Sequence, residues 1–463
     1  MVAVGSAVSL ALSVVAAKAY ALLIGPDGLG LLALMQSIMI VGVMLASGGL
    51  ATSAVRAIAA ARHADEVVAI ARSASLVGFV GGACGVLIVL ALHEPLASLV
   101  LGAAERIPIV LLIAIALGIA VVGSVQIAIL TGLHRVSDVV VVNVATSLVS
   151  AAVGIALVAA LGVDGLAPAV LATAAVQLIL SWLFAARALT DRAPHLRAQA
   201  SLRRVRGLLA TGMPVATGQL AGSGAMFLMP IVVLQVLETT DVGYYRAAAA
   251  ISIGYLTFFL AALTQDFYPR LARAGGQEEL AGLVLRRMRL LMGMGLPVIL
   301  GLLAGAPLLV ELLYSTEFGP SRTVLEWHLV GDLIRLPAWV LVFVLLARGG
   351  AWIYAAAELV GGVGLLAATW VGLIVLGLAG SGVGYAAAQT VYYVVALLLA
   401  RRYVGATAGR LQVVVMLTAV SAALLLVVPI EQVAKSLLFA AGAVLFAAAA
   451  WPRLYRLHRA GEL

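Results

Sequence analysis

Charged residues are scarce in this chain of 463 residues: only 10% are Asp, Glu, Lys or Arg, whereas 64% are hydrophobic. The mean hydropathy of +1.17 excludes an ordinary soluble globular domain. Apolar runs of roughly 20 residues, the length that crosses a bilayer as a helix, recur from one end to the other. The scarcity of charge therefore predicts an all-α, polytopic membrane protein.

Cysteine and lysine are also rare. The single cysteine, Cys84, excludes a disulfide framework and a cysteine metal site. Lys18 and Lys435 each follow an alanine, so neither supplies the Gly-Lys step of a nucleotide-binding P-loop. The six histidines show no metal-ligand spacing, and the gaps between apolar runs are too short for a soluble catalytic domain. We therefore expect no enzyme, no catalytic residue, no cofactor and no metal.

The apolar runs predict fourteen spans. They are 2–24, 31–53, 68–92, 108–131, 139–161, 166–186, 208–236, 243–265, 288–304, 325–347, 353–376, 383–400, 411–429 and 436–451. The even-numbered gaps, the span ends that adjoin them and the C-terminal tail hold 22 of the 28 basic residues, and the opposite gaps hold mostly acids. Because basic loops stay in the cytoplasm, this alternation predicts that both termini are cytoplasmic.

Two short glycine-containing motifs lie six spans apart. A tight Gly/Pro turn at Ile24–Leu31 follows the first span, and a similar motif at Thr240–Tyr245 follows the seventh. An even offset gives repeats that run in the same direction, as in transporters with a central site between two lobes. The longest hydrophilic gap follows span 6. We therefore predict lobes at 1–195 and 196–404, with an added helix pair and a cytoplasmic tail at 405–463.

Several basic residues lie within or at the ends of spans. Lys18 is about six residues, or roughly 9 Å, from the outer end of span 1. A cation at that depth costs a few kcal/mol or more, so Lys18 either snorkels to the headgroups or faces a cavity that takes an anion. Arg246, at the outer end of span 8, has the same two interpretations. Arg56, at the cytoplasmic end of span 2, is a topology anchor or the first cation that an anion on the inner leaflet meets.

Acidic and amide side chains also occur in the spans. Asp332 and Arg335 are spaced i, i+3 and share one face of span 10. They either neutralise each other or form a gate, in which Arg335 is released to the substrate when Asp332 binds a proton or another cation. Glu358, about one turn inside span 11, is a partner for a base or a protonation site. Amides such as Gln36 suit sugar hydroxyls or join helices by hydrogen bonds.

An ordered set of motifs resembles the O-antigen and enterobacterial-common-antigen flippases of the MOP (multidrug/oligosaccharidyl-lipid/polysaccharide) superfamily. The motifs are GPDGLG at 25–30 preceded by Lys18, DVGYY at 241–245, YPRL at 268–271, and WHLVGD at 327–332 followed by Arg335, Tyr354 and Glu358. The similarity covers about the first 400 residues. Two features depart from this pattern: Arg246 stands where Gln is expected, and spans 13 and 14 exceed the twelve expected of the closest members.

The resemblance implies a flippase that moves an undecaprenyl-diphosphate-linked oligosaccharide to the outer leaflet of a bacterial inner membrane. Its fold would be two six-helix lobes in a V shape that alternate access, here with two extra C-terminal helices. Partners would be the lipid-linked oligosaccharide, membrane lipids, H⁺ or Na⁺ and other polysaccharide-assembly membrane proteins, without nucleic acid. Alternatives are a MATE-like, cation-coupled multidrug antiporter and a non-transporting scaffold of glycan assembly.

The chemistry of such a substrate assigns roles to the charges in the spans. A diphosphate needs cations and a glycan needs hydrogen-bonding amides. The candidate substrate-binding residues are Lys18, Arg56, Arg246, Arg335 and Gln36. The candidate ion-coupling or gating residues are Asp332 and Glu358.

Overall fold

The computed structural model describes residues 2–192 and 201–404. Within these ranges the regular secondary structure is entirely helical, without strands, and helices of eight or more residues are numbered here α1 to α14. They are α1 (Val2–Ser47), α2 (Leu50–Ala60), α3 (Ala64–Ala91), α4 (Ile107–Gly132), α5 (Val136–Leu161), α6 (Leu166–Arg192), α7 (Leu202–Gln219), α8 (Ala225–Leu234), α9 (Thr239–Arg273), α10 (Gln277–Ala304), α11 (Ala306–Leu313), α12 (Ser321–Val344), α13 (Ala351–Leu376) and α14 (Leu378–Val404). Short helical turns occur between several of them.

The helices follow the predicted spans closely. Each of the twelve spans predicted before residue 405 falls mainly on one of these helices, except span 2, which covers the end of α1 and the start of α2, and span 7, which covers α7 and α8. Eight helical stretches of the described residues are long and apolar enough to cross a membrane, and two of these stretches each cover two predicted spans. The predicted all-α, polytopic class is therefore confirmed. Spans 13 and 14, and with them the segment 405–463, lie outside the described residues.

The predicted Gly/Pro turn is shorter than expected. Only Gly25 leaves the helical conformation, with φ 63° and ψ −167°, and helix resumes at Pro26. A glycine adopts a positive φ without the steric cost that a side chain would add. Proline suits the first position of a helix, because its fixed φ is helical and the N–H it lacks would be unpaired there. The rest of the predicted turn is therefore the first turn of the second half of α1.

The chain divides into two compact units, Met1–Gly243 and Tyr244–Leu463. The first unit includes α7 and α8, which reach it through close backbone contacts. A Cβ atom on Gly212 of α7 would lie 2.9 Å from the carbonyl oxygen of Gly48. Just after α8, the Gln235 amide donates a hydrogen bond of 2.6 Å to the carbonyl oxygen of Leu99. The predicted lobe boundary at 195/196 stays a prediction.

Helix α12 forms the core of the second unit. Of its apolar window, 78% is buried, against at most 44% in the other candidate spans. It packs most extensively against α14, and also against α10. Glycines allow the close approach of α14: a Cβ atom on Gly382 would lie 2.7 Å from Trp327 Cβ. Several polar residues of α12, among them Glu326, His328 and Asp332, are therefore buried.

Candidate functional site

One face of α12 carries four polar or small residues, and we call it the α12 face. Its members are His328, Gly331, Asp332 and Arg335, at positions i, i+3, i+4 and i+7, a spacing that places side chains on one side of a helix. Asp332 is 0% exposed, His328 is 2% exposed, and Arg335 is half-buried. A buried charge is costly unless it is hydrogen-bonded or paired, so the partners of Asp332 decide what the face can do.

Three hydroxyl groups donate hydrogen bonds to the Asp332 carboxylate. Oδ2 accepts from Ser252 Oγ at 2.6 Å and from Tyr255 Oη at 2.9 Å, and both donors belong to α9. Oδ1 accepts from Tyr385 Oη of α14 at 2.7 Å. Hydrogen bonds to an ionised acceptor are short and strong. These three hydroxyl groups therefore supply hydrogen bonds to both carboxylate oxygens inside the second unit.

The hydroxyl of Tyr385 also connects Asp332 to Arg335. Arg335 Nη1 donates a hydrogen bond of 3.1 Å to Tyr385 Oη, while the same hydroxyl donates its proton to Asp332. The predicted pair on one helix face thus shares a third residue, which lies 53 positions after Asp332 in the chain. Both predicted interpretations, a self-neutralising pair and a gate, are compatible with this bridge.

The ring of Tyr385 is enclosed by aromatic and backbone atoms. It stacks on His328 with ring centroids 4.3 Å apart and an interplanar angle of 13°. His328 also makes an edge-to-face ring contact with Tyr245, at 5.6 Å between centroids. Both ring nitrogens of His328 are buried and have no hydrogen-bond partner among the described residues. The imidazole therefore contacts its neighbours through its ring rather than through its polar atoms.

Glu358 of α13 forms a second, partly buried polar contact. Its Oε1 accepts a hydrogen bond of 2.7 Å from Tyr392 Oη of α14. Tyr385 and Tyr392 are seven residues apart and lie on one side of α14, so a single helix side supplies hydroxyls to both predicted gating acids. Arg335 also interacts electrostatically with Glu358. The two acids therefore belong to one connected set of polar groups in the second unit.

The other predicted site residues are more exposed. Lys18 and Gln36 on α1 are half-buried, Arg56 on α2 is exposed, and Arg246 on α9 is half-buried. Lys18, Gln36 and Arg246 each interact with other groups of the protein. The first three belong to the first unit and Arg246 to the second. Their proposed roles in substrate binding stay predictions.

Sequence patterns alone did not single out the hydroxyl donors of this site. Ser252 and Tyr255 are spaced i, i+3 and Tyr385 and Tyr392 are spaced i, i+7 in otherwise apolar helices. Such periodic polar residues would mark an inward-facing helix side. Their partners lie on other helices, however, so spacing alone could not connect them to Asp332 or Glu358. Among the described residues, no group of three or more His, Cys, Asp or Glu side chains is arranged to hold a metal ion.

Sequence comparison identifies one family and two relatives. The profile of a family described as "Polysaccharide biosynthesis protein" matches residues 20–322. The lipid III flippases of Escherichia coli K12 and Shigella flexneri are each 26% identical to this chain over 122 residues. That alignment covers 26% of this chain and only 28% of each flippase.

Structural comparison identifies the fold. The lipid II flippase MurJ, in an inward closed conformation, matches with a TM-score of 0.73 and 11% identity, over 98% of this chain and 99% of MurJ. An inward-facing multidrug resistance MATE family transporter of the MOP superfamily matches with a TM-score of 0.68 and 18% identity. That match covers 87% of this chain and 98% of the transporter. Because both identities are low, these likenesses show the fold alone, which this chain shares with MurJ and with the MATE family transporter.

Proposed function

Because the chain belongs to the polysaccharide biosynthesis protein family, we propose that it is a flippase for a lipid-linked oligosaccharide. The cargo would be an undecaprenyl-diphosphate-linked glycan, carried by alternating access from the cytoplasmic to the periplasmic leaflet of a bacterial inner membrane. The family match over residues 20–322 carries this proposal. The partial similarity to lipid III flippases supports it, as does the MOP-type, multi-pass membrane fold.

The chemistry of the cargo matches the polar residues of the chain. A diphosphate carries negative charge that is costly to move through hydrocarbon. The half-buried Lys18, Arg246 and Arg335 would neutralise this charge during the crossing. Gln36 would bind sugar hydroxyls, and the exposed Arg56 would be the first cation that the headgroup meets. The undecaprenyl tail would remain in the lipid.

The buried acids would couple the cycle to a cation. In the structure, Asp332 and Arg335 share the hydroxyl of Tyr385. A proton or another cation on Asp332 would weaken the attraction between Asp332 and the groups that face it. Arg335 would then be released to the diphosphate, and Glu358 would act as a second site of charge compensation. With both termini in the cytoplasm, H⁺ or Na⁺ entry could drive outward movement of the cargo.

A second candidate function is a cation-coupled multidrug antiporter. The buried carboxylate of Asp332 favours it, because a carboxylate in a membrane protein interior attracts cations. The basic residues Lys18, Arg246 and Arg335 favour an anionic cargo instead. A non-transporting scaffold of glycan assembly would use the same charges only as structural pairs.

Purified protein in liposomes distinguishes these functions. Fluorescent undecaprenyl-diphosphate oligosaccharides and a cationic dye would be tested separately, with and without a proton or a sodium gradient. Access of a membrane-impermeant glycosidase to the labelled lipid would report its leaflet. Movement of the lipid-linked sugar but not of the dye would support the flippase. Movement of the dye alone would support the multidrug antiporter. If folded protein moved neither cargo, the result would support the non-transporting scaffold.

A further inference from the structure

Tyr385 is the residue on which the charges of the α12 face converge. We propose that Tyr385 is a positioning residue that holds the Arg335 guanidinium away from the substrate, and that His328 acts as the aromatic support of Tyr385. This inference rests on the proposed function for its role in transport, but its geometry stands independently of any substrate. It assigns roles to two residues outside the predicted binding and gating set.

The hydroxyl of Tyr385 makes hydrogen bonds to two charged side chains, Asp332 and Arg335. Its single proton is donated to Asp332 Oδ1, and its oxygen accepts from Arg335 Nη1. The Ser252 and Tyr255 hydroxyls both approach Asp332 Oδ2, so they cannot replace this contact at Oδ1. Removing the hydroxyl would therefore deprive one carboxylate oxygen and one guanidinium nitrogen of a partner at the same time.

The ring of Tyr385 fits against the α12 face at two further positions. His328 stacks on one side of it at 4.3 Å between centroids. At Gly331, a Cβ atom would lie 2.6 Å from Tyr385 Cδ1 and 2.7 Å from Cε1, so even a methyl group would displace the ring. The sequence His-x-x-Gly-Asp-x-x-Arg thus places an aromatic ring, a residue without a side chain and two charged groups along one helix side. Tyr385 lies against each of these four residues.

His328 has an aromatic role in this arrangement. Within the part of the chain that the structure describes, neither ring nitrogen has a hydrogen-bond partner, and the residue is only 2% exposed. Its ring contacts the rings of Tyr385 and Tyr245. A phenylalanine could supply the same flat contact, whereas an alanine could not. A role that depended on the nitrogens, such as proton transfer, would be lost in both variants.

The consequence for transport is a restraint on Arg335. While the Tyr385 ring lies on the α12 face, its hydroxyl keeps one Arg335 nitrogen engaged. A phosphate oxygen would have to compete with the Tyr385 hydroxyl for this guanidinium nitrogen. The stacking on His328 and the space at Gly331 therefore set how often the guanidinium becomes available.

Chemical modification of Arg335 tests the inference without substrate. Phenylglyoxal, which reacts with guanidinium groups, would be added to the full chain in detergent, and modification would be measured by mass spectrometry. We expect Tyr385→Phe, Gly331→Ala and His328→Ala to raise the modification rate by about fivefold, the shift expected from the loss of one hydrogen bond. We expect the rate of Arg335 modification in His328→Phe to stay within about twofold of the rate in the native sequence, because phenylalanine keeps the aromatic contact.

Matched controls lie on neighbouring helices. Tyr393→Phe removes the hydroxyl of another buried tyrosine of α14, and Gly364→Ala adds a methyl group where no atom of the described residues outside its own stretch of helix lies within 4 Å. Both should leave Arg335 as unreactive as before. An unchanged rate in Tyr385→Phe would overturn the restraint. Equal effects of His328→Phe and His328→Ala would overturn the aromatic role of His328. If Gly331→Ala fails to fold, the Tyr385 and His328 variants still test the restraint on Arg335.

A parallel flipping assay separates this inference from the proposed function. If the variants react with phenylglyoxal as expected but the native sequence moves no lipid-linked sugar, the proposed function fails and the restraint on Arg335 stands. If sugar moves normally and Tyr385→Phe changes neither modification nor turnover, the proposed function stands and this inference fails.

Discussion

Gly243 and Pro26 meet backbone to backbone, with no space for a side chain between them. A Cβ atom on Gly243 would overlap the carbonyl oxygen of Pro26, and one on Gly30 would overlap the carbonyl oxygen of Thr239. These residues come from the two motifs that the sequence predicts to be repeats. The repeated glycines are therefore explained by a mutual contact within the first unit, in which each motif fits against the other.

Replacing Gly243 by alanine should destabilise the protein. Overpacking of a close contact typically costs about 1–3 kcal/mol, and here the opposing atoms are backbone atoms that cannot change rotamer. The measurement is the melting temperature of the purified protein in detergent, followed by size-exclusion chromatography. Gly254→Ala on the same helix is the control, because no described atom beyond its own stretch of helix lies within 4 Å of a Cβ atom there. Identical melting of the two variants would refute the contact.

Replacing Lys18 by alanine should abolish glycan export while the protein still inserts into the membrane. Lys18 is half-buried in an apolar helix, and the proposed role requires its charge rather than its shape. A complementation test in a strain that lacks the corresponding flippase would measure export, and immunoblotting of membranes would measure insertion. Lys18→Arg, which keeps the charge, should retain much of the export. Full export by the alanine variant would remove the proposed role.

Replacing Asp332 by asparagine should lower turnover more than it lowers the amount of protein. Asparagine has nearly the same shape but lacks the charge that Ser252, Tyr255 and Tyr385 stabilise. Loss of a gating charge should reduce flipping in liposomes by about tenfold or more, which corresponds to about 1.4 kcal/mol. Asp138→Asn is the control, since it removes a carboxylate from a partly exposed ion pair with Arg135. Equal loss of turnover and of protein would instead indicate a structural pair.

Glu358 and Tyr392 should be energetically coupled. Their hydrogen bond of 2.7 Å lies inside the second unit, and a hydrogen bond to a charged group contributes about 1.5–3 kcal/mol. A double-mutant cycle with Glu358→Gln and Tyr392→Phe, measured on the free energy of unfolding, should give an interaction energy of that order. The same cycle with Tyr393→Phe in place of Tyr392→Phe should give an energy near zero. Simple additivity of Glu358→Gln and Tyr392→Phe would contradict the contact.

The fold was predictable because the length and spacing of apolar runs are local properties of a sequence. The twelve spans before residue 405 fall on helices for this reason. The conformation at Gly25 was only partly predictable. The Gly-Pro step indicates a break, but the sequence does not show that one residue with positive φ is sufficient and that helix resumes at Pro26.

The candidate site was less predictable, because its contacts join distant parts of the chain. The i, i+3 spacing of Asp332 and Arg335 places them on one helix side, and that much follows from helix geometry alone. The bridging hydroxyl comes from Tyr385 and two further donors come from α9. No pattern within span 10 specifies these partners. They depend on how α9 and α14 pack against α12, which only the tertiary structure shows.

The enclosure of α12 has a consequence for how the chain is made. A ribosome finishes this helix before it begins α14, since Tyr385 follows Asp332 by 53 residues. During that interval the newly inserted helix carries a carboxylate that lacks one of its later donors, in a medium that penalises unsatisfied charge. During biogenesis, α12 therefore either stays next to the translocation machinery or packs against helices that were inserted earlier. The order of synthesis, as well as the final packing, thus constrains which residues this helix can carry.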